Sequence, residues 1–319
     1  MTVPPISVVT PFYNTERYLA QAIASVLAQT RRDFEYILVD NQSTDGSARI
    51  AAEFAARDPR IRLIRTPEFF SQGANYSFAV AQIAPGSRWC KMVQADDWIA
   101  PTCLAELVAA GESSARVGLV ASYTLDGLEV KGSGLPVDRT VFPGRDICRL
   151  QLLEGRFFFG SPTTVLYRSE VVRERSPFFD ERLLHDDTER AYEILETWDF
   201  GFVHQVLSYL RRDEGIMQRA STFNPYLLDK YLVLRRFGPK FLTEAEYAQV
   251  FGDVHRRYRL YIGESVLARR NEAFWRHHQT GLASVGETLG MGRRFWWGAA
   301  AALHLIARPV DTLRMLLGR

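Results

Sequence analysis

Short apolar runs alternate with amphipathic stretches through the first hundred residues. "ISVVT" (Ile6–Thr10) is β-branched and ends at Pro11, the pattern of a buried strand. Asn14 then reads as the cap of a helix running to about Gln29, because Leu19, Ile23, Val26 and Leu27 share one face at helical spacing. "EYILVD" (Glu35–Asp40) predicts a second buried strand, "NQSTDGS" a turn, and the Ala-rich Ser47–Arg57 a helix. "RIRLIR" (Arg60–Arg65) predicts a third strand, Asn75–Ala84 a helix stopped by Pro85–Gly86, and "WCKMVQ" (Trp89–Gln94) a fourth strand. This alternation argues an α/β fold, a mostly parallel sheet flanked by helices. Ligands of such sheets bind outside the carboxyl ends of the strands. The polar clusters "PFYN", "DNQSTD" and "ADD" all fall at those ends.

The pattern changes near Gly118. "VGLVASYTL" predicts another strand, followed by a Gly-rich hairpin near "KGSGLP". "FFFGSPTTVLYR" (Phe157–Arg168) reads as loop then strand, Phe178–Glu196 as a loop entering a helix, and "FVHQVLSYLRR" (Phe202–Arg212) as a last strand. Beyond Tyr226 the spacing is mostly helical. Two parts are expected: a sheet domain over 1–225 and a helical region over 226–319. The sequence has no GxGxxG after the first strand, no GxxxxGK[ST] and no GxSxG, which disfavours a dinucleotide fold, a P-loop and a nucleophile elbow.

Composition changes little in this picture. The chain has 319 residues, 47% hydrophobic and 24% charged, which is ordinary for a globular protein with a full core. Cys90, Cys103 and Cys148 show no metal-binding or disulfide spacing, so a reducing cytoplasm is expected. The first residues lack the basic start and long apolar core of a signal peptide. Charge is more informative. Residues 231–319 hold 14 Lys/Arg against 7 Asp/Glu, so the overall +2 divides into +7 there and −5 elsewhere. No nucleic-acid-reading module accompanies the basic part, so nucleic acid is not an expected partner.

Each polar cluster has a plain reading and a chemical one. Asp96–Asp97 is either a solvated turn or a site for a hard divalent cation, which takes one or two carboxylates plus substrate phosphates. Adjacent residues at a strand end point apart, so one carboxylate can face a cation and the other a ribose. Asp40–Asn41 is either a hydrogen-bonded turn or an acceptor for the imide of a pyrimidine base. Tyr13 is a half-buried loop aromatic or a base-stacking ring. Asp186–Asp187 caps a helix or supplies a general base. Arg211 and Arg212 form a basic turn or clamp a diphosphate. His185 beside the second acidic pair reads as incidental.

Taken in order, "ISVVTPFYN", "ILVDNQSTDGS", "GANYSFAVAQIAPG", "MVQADDWIAP" and "FFDERLLHDDTERAYEI" resemble the inverting family 2 glycosyltransferases of the GT-A fold. The resemblance covers roughly residues 5–215. It implies transfer of a sugar from a UDP- or dTDP-sugar, with a divalent cation, Mn²⁺ or Mg²⁺. It also implies that Pro11, Tyr13, Asp40 and Asn41 hold the nucleoside. Asp96 would bind the ribose or share the metal, Asp97 would coordinate the cation, and Asp187 would be the catalytic base. Asp186, Arg211 and Arg212 would contact diphosphate or acceptor.

The chain departs from the pattern in four places. Gln94 stands where many members have a first Asp, and Asn41 where many have Asp. Asp186 replaces the commoner Glu, and Arg212–Asp213 stand where a His often follows. These departures keep open a non-catalytic sugar-nucleotide-binding module or scaffold of a glycan assembly complex. A nucleotidyltransferase would carry a Gly-rich basic loop after the first strand, which "PFYN" is not.

The apolar run Phe295–Ala307 is 13 residues, below the ~17–25 needed to span a bilayer. Trp296–Trp297 behind Arg293–Arg294 reads either as an interfacial anchor or as a protein-packing helix. Peripheral contact of residues 292–319 with the inner face of a cytoplasmic membrane would suit a glycan or lipid-linked acceptor in bacterial surface polysaccharide synthesis.

Overall fold

The computed structural model describes residues 4–180, 186–212 and 225–307. They fall into two compact units, one before and one after residues 213–224. The first is an α/β unit. Its opening strands are β1 (Ile6–Phe12), β2 (Phe34–Asp40), β3 (Ile61–Arg65) and β4 (Trp89–Met92), with helices α1 (Leu19–Leu27), α2 (Ser47–Ala55) and α3 (Gln72–Ala81) between them. All four strands are parallel, in the order β3-β2-β1-β4.

The rest of the sheet is mixed. Next come β5 (Trp98–Ile99), α4 (Cys103–Glu112), β6 (Val117–Asp126), β7 (Glu129–Lys131), β8 (Val141–Phe142), α5 (Gly144–Glu154) and a 3-10 turn at Pro162–Thr164. They are followed by β9 (Val165–Arg168), α6 (Ser169–Arg173), α7 (Asp186–Leu195) and β10 (Asp199–Leu210). The full order is β3-β2-β1-β4-β9-β6-β10-β5, with β9 antiparallel to both β4 and β6, and β10 parallel to β6. The parallel character expected from the sequence therefore holds for β1 to β4, and β9 reverses direction beside them. That reversal matters, because it brings the amino end of β9 to the edge where β1, β4, β6 and β10 end.

Core packing explains the strand positions. Ile6, Val8, Tyr36 and Leu38 are buried with Leu19, Ile23 and Val26 of α1 and Leu104 and Leu107 of α4. On the other face Phe200 meets Phe159, which packs edge-on against Tyr192 of α7. Pro11 is tolerated inside β1 for a specific reason. Val93 donates to the Val9 carbonyl, so the next group facing that neighbour would be the N–H that Pro11 lacks, and β4 has already ended.

Several boundaries shift from the sequence reading. Asn14 does not cap α1. It adopts a left-handed φ of 51°, and its side-chain oxygen accepts from the Thr44 N–H at 2.8 Å. The helix starts instead at Leu19, after a turn closed on the Thr15 carbonyl. The third helix begins at Gln72 because the Ser71 hydroxyl accepts from the Ala74 N–H. Helices α4 and α5 carry no sequence expectation at all.

The second unit contains α8 (Pro225–Phe241), α9 (Glu244–Leu267), α10 (Glu272–Ala283) and α11 (Met291–Ala307). Tyr231 and Tyr258 stack at 4.9 Å in its core. The Glu287 carboxylate accepts from the Tyr231 hydroxyl at 2.8 Å and pairs with Arg235 and Arg293. At Gly263 an added Cβ would lie 2.2 Å from the Trp297 carbonyl oxygen, so α9 and α11 approach closely only because no side chain intervenes. No helix among the described residues is long and apolar enough to cross a membrane.

Candidate active site

Asp96 and Asp97 occupy the tight turn between β4 and β5. The Asp97 N–H donates to the Gln94 carbonyl at 3.1 Å, and Trp98–Ile99 then pairs antiparallel with Ser208–Tyr209 of β10. The turn is thus held by a strand on each side. Asp97 is only 5% exposed. Its Oδ2 accepts from the Thr163 hydroxyl at 2.7 Å and its Oδ1 from the Arg211 N–H at 3.0 Å. Asp96 is half-buried beside it.

Two acids packed this way need positive charge. Burial, with Asp96 adjacent, pushes the Asp97 carboxyl up to about 7. Part of the compensation is Lys91, a fully buried ammonium on β4. It donates to the carbonyls of Met92 at 3.0 Å, Val165 at 3.1 Å and Thr163. Burial depresses the Lys91 pKa to about 8.

The donor set suits a hard cation. Each Asp97 oxygen keeps a lone pair beyond the hydrogen bond it accepts, and Asp96 adds a second carboxylate. Among the described residues no group of three or more His, Cys, Asp or Glu converges. A cation here would therefore complete its coordination with substrate phosphates and water.

Gln94 lies behind this pair. Its Oε1 accepts from the Ser161 hydroxyl at 2.6 Å and its Nε2 donates to the Tyr76 hydroxyl at 2.8 Å. Its N–H donates to Thr163 Oγ1 at 3.0 Å, the same oxygen whose proton goes to Asp97. A neutral amide at this position ties α3, the turn at Pro162–Thr164 and the acidic turn together without adding charge. Lys91, Thr163, Ser161 and Tyr76 are not read as site residues from the sequence. Only Lys91 leaves a signal, as a lone charge inside the apolar run "WCKMV".

The arginines are engaged within the fold. The Arg211 guanidinium lies 4.2 Å over the Tyr18 ring and 5.0 Å over Trp98, and donates to the Asp96 carbonyl and to Gln21. Arg212 forms a two-pronged pair with Asp126. In this arrangement Arg211 serves the acidic turn through its backbone N–H, and both guanidiniums have protein partners.

The residues expected to hold a nucleoside divide similarly. Pro11 and Asp40 are buried at the ends of β1 and β2. Asp40 Oδ1 accepts from the Ser43 N–H at 2.9 Å, and Oδ2 lies 3.8 Å from Arg65. Asn41 is spent locally: its Oδ1 accepts from the Phe70 N–H at 2.8 Å and its Nδ2 donates to the Phe70 carbonyl at 2.9 Å. Tyr13 is 42% exposed and meets the exposed Phe69 ring edge-on at 4.8 Å.

Asp186 and Asp187 stand in the first turn of α7. Asp186 Oδ1 accepts from the Asp187 N–H at 2.9 Å, and Asp187 Oδ1 accepts from the Thr188 N–H at 2.6 Å. A short turn joins α7 to β10. His185 lies outside the described residues.

Known proteins share parts of this sequence and this fold. The sequence model described as "Glycosyl transferase family 2" matches residues 7–176. The chain is 32% identical over 178 residues to an uncharacterized glycosyltransferase of Nostoc, covering 54% of this chain and 53% of that protein. It is 28% identical over 194 residues to the succinoglycan biosynthesis protein ExoO of Rhizobium meliloti, covering 60% and 52%. The chain spans about half the length of these two curated relatives. In fold it is similar to S. aureus TarS 1-349 in complex with UDP-GlcNAc, with a TM-score of 0.61, 18% identity and coverage of 88% and 80%. It is also similar to the mannosyltransferase PcManGT of Pyrobaculum calidifontis in complex with GDP-Man and Mn²⁺, with a TM-score of 0.58, 16% identity and coverage of 98% and 88%. These likenesses fix the architecture as the GT-A type. The sequence match extends over more than half of the chain, and the chain belongs to glycosyl transferase family 2.

Proposed function

We propose that this chain transfers a glycosyl unit, with inversion, from a UDP- or dTDP-sugar to a hydroxyl of a glycan or lipid-linked acceptor in bacterial polysaccharide synthesis. The observation that carries this reading is the buried acidic turn. Asp97 is oriented at both oxygens, has Asp96 beside it, and sits at the carboxyl edge of the sheet.

In this reading Asp97, with Asp96, holds a divalent cation. Such an ion neutralises charge that builds on the departing diphosphate. Thr163 and the Arg211 N–H keep the Asp97 carboxylate from rotating. Asp187 takes the proton of the attacking acceptor hydroxyl, a step typically worth ~10²–10⁴-fold. Displacement from the face opposite the leaving diphosphate inverts the anomeric carbon, and no covalent sugar–enzyme species is required. Fold neighbours solved with UDP-GlcNAc and with GDP-Man and Mn²⁺ support a nucleotide-sugar donor, and the second supports a cation.

The α/β unit would carry donor binding and transfer, and the helical unit would bring the enzyme to its acceptor. The three cysteines are free and buried, which suits a reducing cytoplasm. On α11 the residues Met291, Phe295, Trp296, Leu303 and Ile306 are all exposed, and the helix contains no acidic side chain. Such a face suits peripheral docking on the inner, anionic surface of a cytoplasmic membrane.

Donor turnover tests the catalytic reading. Wild type with Mn²⁺ and UDP-sugars should hydrolyse a cognate donor slowly, releasing the inverted anomer by NMR. Asp187→Asn should lower that rate by roughly 10²–10⁴-fold while leaving donor affinity unchanged. Tight donor binding with no turnover in wild type would instead favour a sugar-nucleotide-binding module.

A further inference from the structure

Burying an ammonium is costly, and the groups that receive the protons of Lys91 are all neutral. Its side chain is fully buried on β4 and donates to the carbonyls of Met92 at 3.0 Å, Val165 at 3.1 Å and Thr163. An ammonium has three protons, and each finds a carbonyl.

The strand pairing shows what these bonds do. The β4–β9 pairs run from Trp89–Arg168 through Cys90–Tyr167 to Lys91–Leu166 and stop there. From that point the two chains diverge. One continues past Met92 to the acidic turn, and the other comes out of the tight turn at Pro162–Thr164. The Lys91 ammonium bridges the divergence, with one carbonyl on its own strand and two on the facing chain. The turn it grips is the one that fixes Asp97. Thr163 is fully buried, gives its hydroxyl proton to Asp97 Oδ2 at 2.7 Å and accepts from the Gln94 N–H at 3.0 Å. Thr163 is therefore held at its carbonyl by Lys91 and at its hydroxyl between Gln94 and Asp97.

From this geometry we infer that Lys91 is a positioning residue for the cation site: by clamping the Thr163 carbonyl to β4, it sets the hydroxyl that orients Asp97. The inference rests on the cation reading above. Clamp and charge act here with opposite signs. A positive charge behind the carboxylates repels an incoming cation, so removing the ammonium for its charge alone would tighten cation binding. Removing it as a clamp leaves three buried carbonyls without their donor; the turn then shifts and binding loosens. The clamp prevails, because Lys91 reaches Asp97 through an unbroken run of bonded groups.

The test is calorimetric, on the full chain, with UDP and dTDP titrated in the presence and absence of Mn²⁺. The readout is the factor by which Mn²⁺ tightens the better-bound nucleotide. Lys91→Met fills the space without donors and should cut that factor roughly 10-fold, the scale of a lost supporting contact, while metal-free affinity stays as in wild type. A general loosening of the fold would instead lower both affinities alike. Lys91→Gln keeps two N–H donors without the charge and should fall between wild type and Lys91→Met. Thr163→Val should cut the factor to a similar extent as Lys91→Met, and adding either Lys91 substitution to it should cost little more. This coupling can be read from Lys91→Gln even if Lys91→Met does not fold. An unchanged or larger factor in folded Lys91→Met overturns the inference, as does an equal fall in metal-free affinity or full additivity with Thr163→Val. Wild type whose nucleotide binding ignores Mn²⁺ would overturn the cation reading along with it.

Discussion

Thr163 has a single hydroxyl proton, and it goes to Asp97; the same oxygen accepts from the Gln94 N–H. Thr163→Val keeps the shape and removes both bonds. Loss of such a supporting partner typically costs 10–100-fold in metal affinity, and roughly that loss of Mn²⁺ binding is expected here. The pH dependence follows from Asp97 itself, whose carboxyl burial and Asp96 push up to about 7. The folded, metal-free protein favours the protonated acid more than the unfolded chain does. That contribution to stability is full below the ordinary carboxylate range and is lost as pH rises through about 7. A cation needs the carboxylate, so Mn²⁺ should bind more tightly at about pH 8 than at about pH 6 in calorimetric titrations. Equal affinity at the two values would contradict a controlling role for Asp97. The acidic pair is legible in the sequence because adjacent Asp residues end an apolar run. Thr163 is not, because "PTT" has no pattern and its partner lies 66 residues away.

At the scale of elements, alternation of apolar runs makes β1 to β4 readable, since each is short, β-rich and bounded by turn residues. The direction of β9 is not readable. Its sequence, "VLYR", is compatible with either sense, and only its pairing with β4 and β6 fixes it as antiparallel. Helix α5 is obscured by its composition, with Arg145, Asp146, Arg149 and Gln151 interrupting the apolar spacing. For α11, apolar spacing and adjacent aromatics are legible, and the exposure of five large apolar side chains gives them a testable consequence. The full chain should co-sediment with phosphatidylglycerol vesicles and less with phosphatidylcholine. Phe295→Ser with Trp296→Ser should reduce that binding several-fold. Equal binding to both lipids, or no effect of the two substitutions, would show that α11 is not the contact.

Across the whole molecule, the sheet collects its chemistry by direction of travel. Strands β1, β2, β4 and β10 end on one edge, and β9 begins there, so Asp97, Thr163 and the Arg211 N–H converge although Asp97 and Arg211 lie 114 positions apart in sequence. The motif order in the sequence anticipates that edge. It does not anticipate the buried ammonium of Lys91, or the use of Arg211 and Asn41 to hold loops, because those roles depend on partners from distant strands. The central claim is that Asp97 holds a cation on which donor binding depends. The measurement that tests it most directly is titration of UDP and dTDP, each with and without Mn²⁺, into wild type and Asp97→Asn. The account predicts Mn²⁺-dependent binding of at least one nucleotide in wild type and its loss, by 10-fold or more (roughly 1.4 kcal/mol), in the folded variant. Binding that is indifferent to Mn²⁺ and to Asp97→Asn would contradict it.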